Sequence, residues 1–153
     1  MTSYKELREG IYQVFGGLED LKLLSLLVYG EARGETLYGK AAVAWVALNR
    51  AKKSGWFGET LKDVVLKPYQ FSCFLPEDTN TSKLEKISRE FDSFLKEDKV
   101  FRECYYIARG VLEGWIRDVT HGALYYHSRN ISLRWSSAYT KKTEIGNHFF
   151  TRK

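Results

Sequence analysis

The chain of 153 residues is poor in proline, cysteine and methionine, with two, two and one respectively. Pro68 and Pro76 sit in one short stretch, so the rest of the chain is free to form helix or strand. Cys73 and Cys104 form no CxxC pair, which excludes a disulfide-dense scaffold and a cysteine-rich zinc module. They read as two reduced thiols, or as one disulfide if the protein works outside the cell. No apolar run reaches the roughly 20 residues that a membrane span needs, so stable membrane insertion is not expected. The amino-terminal "MTSYKELREGIYQVFGG" is broken by charge every few residues and lacks the apolar core of a signal peptide. Synthesis in the cytosol is therefore expected, with release by some other agent if the protein acts elsewhere. Absence of GxGxxG, Walker and GxSxG patterns disfavours nucleotide enzymes and serine hydrolases.

Charge of one sign is only mildly in excess. Lys and Arg number 24 against 19 Asp and Glu, a net +5 spread along the chain. A basic protein favours polyanions such as nucleic acid, anionic membrane or bacterial wall polymers. The lysine pairs at 52–53 and 141–142 are too short for a nucleic-acid patch, so nucleic acid is not an expected partner.

What the chain does have is aromatic surface: 10 Tyr, 9 Phe and 4 Trp, which suit a core and also suit stacking on sugar rings. Spacing predicts helices over 4–15, 21–32 with Asp20 as cap, 38–53 and 59–66. Residues 67–82 read as a long loop, functional or mobile. A charged helix follows over 83–98, then one over 99–115 with Val100, Cys104, Ala108, Val111 and Trp115 on its buried face. "ALYYH" and "HFFT" read as short strands. The expected fold class is α+β, mostly helical, with a small β-element near the carboxyl terminus.

Within "LLVYGEARGE", Leu24, Leu27 and Val28 occupy the i, i+3 and i+4 positions of a helical face, and Glu31 takes i+7. A carboxyl group at the end of a buried face is held in its protonated form, the requirement for a general acid in glycoside cleavage. The alternative is a structural Glu paired with Arg33 or Arg50. A glycosidase of the two-carboxylate kind needs a partner, and Glu35, Glu77 and Asp78 are available, none singled out by pattern. Glu35, just past Gly34, reads better as a solvated or locally capping residue. His121, His127 and His148, with Glu31, could instead form a zinc site, although their spacing lacks the compactness of HExxH.

Taken in order, "LVYGEARGE", "GKAAVAWVALNR", "KPYQFSC", "GALYYH" and "TEIGNHFF" resemble the SleB-type cell-wall hydrolases, a family that includes spore-cortex-lytic enzymes and phage endolysins. The resemblance covers about residues 21–150. It implies a lysozyme-like domain similar to the resuscitation-promoting factors, cutting peptidoglycan between N-acetylmuramic acid and N-acetylglucosamine. The first Glu of "EARGE", Glu31, would be catalytic. A lytic transglycosylase can use the muramic 6-hydroxyl as internal nucleophile, which removes the need for a second carboxylate; a water-using muramidase is the alternative. Gln70, Ser72, Tyr125 and His127 match family motifs and would contact sugar or brace Glu31, and aromatic segments would line the groove. No metal or cofactor is implied. The expected organisation is a short extension over 1–20 and one catalytic domain over 21–153, monomeric. Without room for the wall-binding domain and secretion signal of the spore enzymes, the chain points to a phage or prophage endolysin released by a holin. A non-catalytic wall-binding module is the competing class.

Overall fold

Ser3 starts the first helix of the computed structural model, which describes residues 2–128 and 141–152. Its hydroxyl accepts from the Glu6 amide, capping α1 (Tyr4–Phe15). Ile11 and Phe15 carry α1 into the common core, and Tyr12 donates to Asp63 Oδ1 at 2.6 Å. Glu19, not Asp20, occupies the cap position of α2 (Asp20–Ala32); Asp20 falls in the first turn, where an acid favours the helix dipole. Thr36 caps α3 (Leu37–Lys53) and Thr60 caps α4 (Leu61–Leu66) through their hydroxyls.

The single helix expected over 83–98 is two: α5 (Thr81–Arg89) and α6 (Phe91–Glu97), broken at Glu90. The break lets Phe91 turn inward against Phe101 while Leu84 and Ile87 stay buried. Asp98 caps α7 (Lys99–Glu113), and Gly114 ends it in the left-handed conformation at φ 84°. Its buried stripe runs through Phe101, Cys104, Ala108 and Val111. Val100 and Trp115, expected on that stripe, are exposed: Val100 sits in the first turn, and Trp115 follows the glycine that ends the helical register.

The stretch 67–82 is not structureless. It contains a 3-10 turn, Ser72–Phe74, and buries Phe71, Cys73, Phe74 and Leu75. Thr81 Oγ1 donates to the Cys73 and Leu75 carbonyls, and Phe74 meets Phe15 edge-on at 5.1 Å. Two of the aromatics expected to face a groove are thus core residues.

Three antiparallel strands close the fold in the order β1 (Tyr125–Ser128), β3 (His148–Arg152), β2 (Lys141–Ile145). Gly146 and Asn147 join β2 to β3, with Gly146 at φ 57°, a conformation that tight hairpin turns reserve for glycine. The class is α+β and mostly helical, as the sequence predicts.

At its centre, α2 has Leu23, Leu24, Ser25, Leu26, Leu27 and Val28 all fully buried. It packs against α3, α4, α5 and α7. A helix buried around its whole circumference is a core helix rather than an amphipathic one.

Candidate active site

Glu31 lies where this buried cylinder reaches the surface, and it is half-buried. Gly30 lets the Ser72–Phe74 turn approach: a Cβ there would stand 2.7 Å from Cys73 Sγ and 2.8 Å from its Cβ. The Cys73 thiol donates a hydrogen bond to the Glu31 carboxylate. Tyr126, from β1, donates its phenolic proton to Glu31 Oε1. Burial first, and then the Glu31 charge, push both the Cys73 thiol and the Tyr126 phenol well above their ordinary pKa values. Both therefore stay protonated and remain donors.

Side chains of α3 fix the segment that delivers Tyr126. Trp45 Nε1 donates to the Ile116 carbonyl at 3.0 Å, Asn49 to the Ala123 carbonyl at 3.1 Å, and Arg50 Nε to the Leu124 carbonyl at 2.7 Å. Arg50 is 6% exposed, and its guanidinium carbon lies 5.1, 5.0 and 5.7 Å from the ring centres of Phe57, Phe71 and Tyr125. Burial lowers its pKa, and the negative charge of Glu31 is among the influences that oppose this shift. Arg33 turns elsewhere, to the Tyr29 carbonyl and Asn80 Oδ1. Arg50 thus reaches Glu31 through its field, and Arg33 is not its partner.

Glu35 is neither solvated nor a local cap. Its Oε1 lies 2.7 Å from His148 Nδ1, and Asn147 approaches both its oxygens from backbone and side chain at 3.4 and 3.3 Å. Burial raises its pKa, but the hydrogen bonds from His148 and Asn147 and the His148 charge outweigh burial, so the net shift is downward. The hairpin turn of "TEIGNHFF" is in this way clasped onto the "EARGE" corner. Lys40 braces the same corner from behind, donating to the Glu35 carbonyl at 2.6 Å and meeting Glu103 at 3.1 Å.

Of the expected contact residues, Ser72 is exposed and Gln70 half-buried, each within a few residues of Cys73. Tyr125 and His127 sit on the face of β1 opposite Tyr126, as strand alternation requires. Tyr125 stacks near Phe57 and Arg50, and His127, 7% exposed, packs beside Phe149. Tyr126, Cys73 and His148 escaped the motif reading as neighbours of Glu31 and Glu35. Glu77 is exposed; Asp78 caps the Asn80 amide. His127 and His148 lie on paired strands but on opposite faces, and among the described residues no three His, Cys, Asp or Glu side chains gather as metal ligands. Both cysteines are free thiols.

A helical body closed by a small C-terminal sheet is the fold of a solved class of proteins. The catalytic domain of Bacillus cereus SleB superposes with a TM-score of 0.62 at 27% identity, over 91% of this chain and 95% of that one. The catalytic domain of the germination-specific lytic transglycosylase SleB from Bacillus anthracis gives 0.60 at 26%, over 91% and 100%. Among curated relatives, the spore cortex-lytic enzyme of Oceanobacillus iheyensis is 30% identical over 134 residues, 87% of this chain and 41% of that protein. That of Bacillus subtilis is 29% identical over 132 residues, 86% and 37%. The chain thus spans about two fifths of the length of these relatives. Residues 34–151 match the cell wall hydrolase family, and the chain belongs to it. Glu31 stands just ahead of the matched stretch.

Proposed function

We propose that this domain cuts the glycan strands of peptidoglycan between N-acetylmuramic acid and N-acetylglucosamine, as a lytic transglycosylase with Glu31 as general acid. The observation that carries the reading is the setting of Glu31: a carboxyl group at the surfacing end of a core helix, fixed by two protonated donors, Tyr126 and Cys73. Family membership and the lytic transglycosylase of B. anthracis support the same chemistry.

In this reading Glu31 protonates the glycosidic oxygen, and the muramic 6-hydroxyl attacks the anomeric carbon to close a 1,6-anhydro ring. One carboxyl group can give the first proton and accept the second in turn. Gln70 and Ser72, beside Cys73, contact the sugar; Tyr125 and His127 brace the strand that carries Tyr126. Neither metal nor organic cofactor takes part, the working form is a monomer, and nucleic acid is not a partner. The setting is that of a phage or prophage endolysin made in the cytosol and let out by a holin. Its support is the resemblance to a family that includes phage endolysins. Lysis of producing cells only when a holin is co-expressed is the corresponding test.

Glu31→Gln removes the acidic proton while keeping shape, and clearing of purified wall should fall by about 10²–10⁴-fold or more. A variant that clears wall at near wild-type rate ends the assignment. Mass spectrometry of the digest separates the outcomes: anhydro ends mark a transglycosylase, reducing muramic ends a muramidase, and unchanged wall a binding module.

A further inference from the structure

We propose that His148, held by Glu35, is the base that takes the proton from the attacking hydroxyl, so that Glu31 serves as acid alone. This rests on the glycan-cleaving reading above and divides its two proton transfers between two groups.

Geometry carries the argument. Residues of β1 and β3 that pair directly share a sheet face, and the pairs Tyr126–Phe150 and Ser128–His148 place Tyr126 and His148 on one face. Their rings meet edge-on at 5.6 Å, and Tyr126 itself donates to Glu31. One phenol ring therefore separates the imidazole from the acid. His148 and Glu35 side chains are 21% and 12% exposed, shielded yet within reach of a ligand. A carboxylate can only accept, so His148 Nδ1 carries the hydrogen between them, and the ring's second nitrogen, Nε2, is the one left to exchange a proton with a ligand. A carboxylate orienting an imidazole through Nδ1 is the arrangement that acyl-transfer enzymes use to fix a base.

The step balances. Glu31 gives its proton to the departing oxygen as the C1–O bond breaks. The muramic O6 forms its bond to C1, and its proton passes to His148 Nε2. The imidazolium then returns a proton to the Glu31 carboxylate through solvent, restoring both groups.

His148→Ala, Glu35→Gln and Glu31→Gln are compared by kcat and KM on purified wall, with melting temperatures, and His148→Ala is repeated with added imidazole. The expected result is a fall in kcat of about 10²-fold or more for His148→Ala at little-changed KM, with saturable recovery in imidazole. Glu35→Gln, which loses the charge behind the ring, should fall by an intermediate factor. If His148→Ala stays near wild type while Glu31→Gln is inactive, this inference fails and the glycan-cleaving reading stands. A folded His148→Ala that loses activity without imidazole recovery also overturns it, leaving His148 a clasp for Glu35. If Glu31→Gln remains active, the function itself is misassigned.

Discussion

Tyr126 and Cys73 give Glu31 two donors that arrive from segments distant from it in the chain. The Tyr126 contact spans 95 residues of sequence. A hydrogen bond to a charged group contributes roughly 1.5–3 kcal/mol. Tyr126→Phe keeps the ring against His148 and Phe150 and removes only the hydroxyl. Its kcat should fall about 10–100-fold with the melting temperature nearly unchanged; a wild-type rate would make the phenol a bystander. Thiol chemistry offers a second probe at this scale. Both thiols are buried, and burial above all pushes Cys104 up to about 12 and Cys73 higher than its ordinary range. A thiol that rarely ionises reacts slowly. An aromatic disulfide reagent should titrate neither cysteine in the native protein and both after denaturation; rapid native labelling of Cys73 would show that its turn opens.

Among elements, the joint between α2 and the Ser72–Phe74 turn is the tightest near the site. Ala is intrinsically better than Gly inside a helix by about 1 kcal/mol. At position 30 packing reverses that preference, because the new methyl would meet Cys73 at 2.7 Å. Gly30→Ala should destabilise by about 1–3 kcal/mol in denaturant titration and lower activity by displacing Cys73. The hairpin clasp sets a pH limit of its own. Glu35 has a lowered pKa when folded, from burial outweighed by its His148 and Asn147 bonds. Its contribution to stability is therefore complete above its ordinary value near 4.5 and lost as pH falls through the lower folded value. Wild-type stability should drop in that acidic window, and Glu35→Gln should flatten the drop. Equal acid sensitivity in both proteins would place the cause elsewhere.

For the molecule as a whole, a net charge of +5 without a separate basic patch predicts attraction to anionic wall by long-range field. Exposed charges are screened beyond a Debye length of about 8 Å at physiological salt. Rising salt should therefore slow lysis of whole wall strongly while leaving the rate on saturating short glycans little changed. Parallel loss on both substrates would mean that salt acts on the fold or on the site.

Much of this molecule follows from local sequence. Ser3, Thr36, Thr60 and Asp98 cap four helices because their side-chain oxygens reach amides three residues on. The apolar run 23–28 had to be buried, and a glutamate three residues past it had to stand where that burial ends. Sequence alone thus determined the helical body, the late strands and Glu31 as the conspicuous acid. It could not decide the company Glu31 keeps. Whether Tyr125 or Tyr126 faces it depends on the phase of β1, since a shift of one residue exchanges the two faces of a strand. That phase is fixed by Asn49 and Arg50 on α3, which hold carbonyls 74 residues away. The Glu35–His148 contact spans 113 residues and exists only because a two-residue turn brings the last hairpin onto the α2–α3 corner. Periodicity reports how a segment meets its immediate neighbours, and these contacts join segments that only tertiary packing brings together.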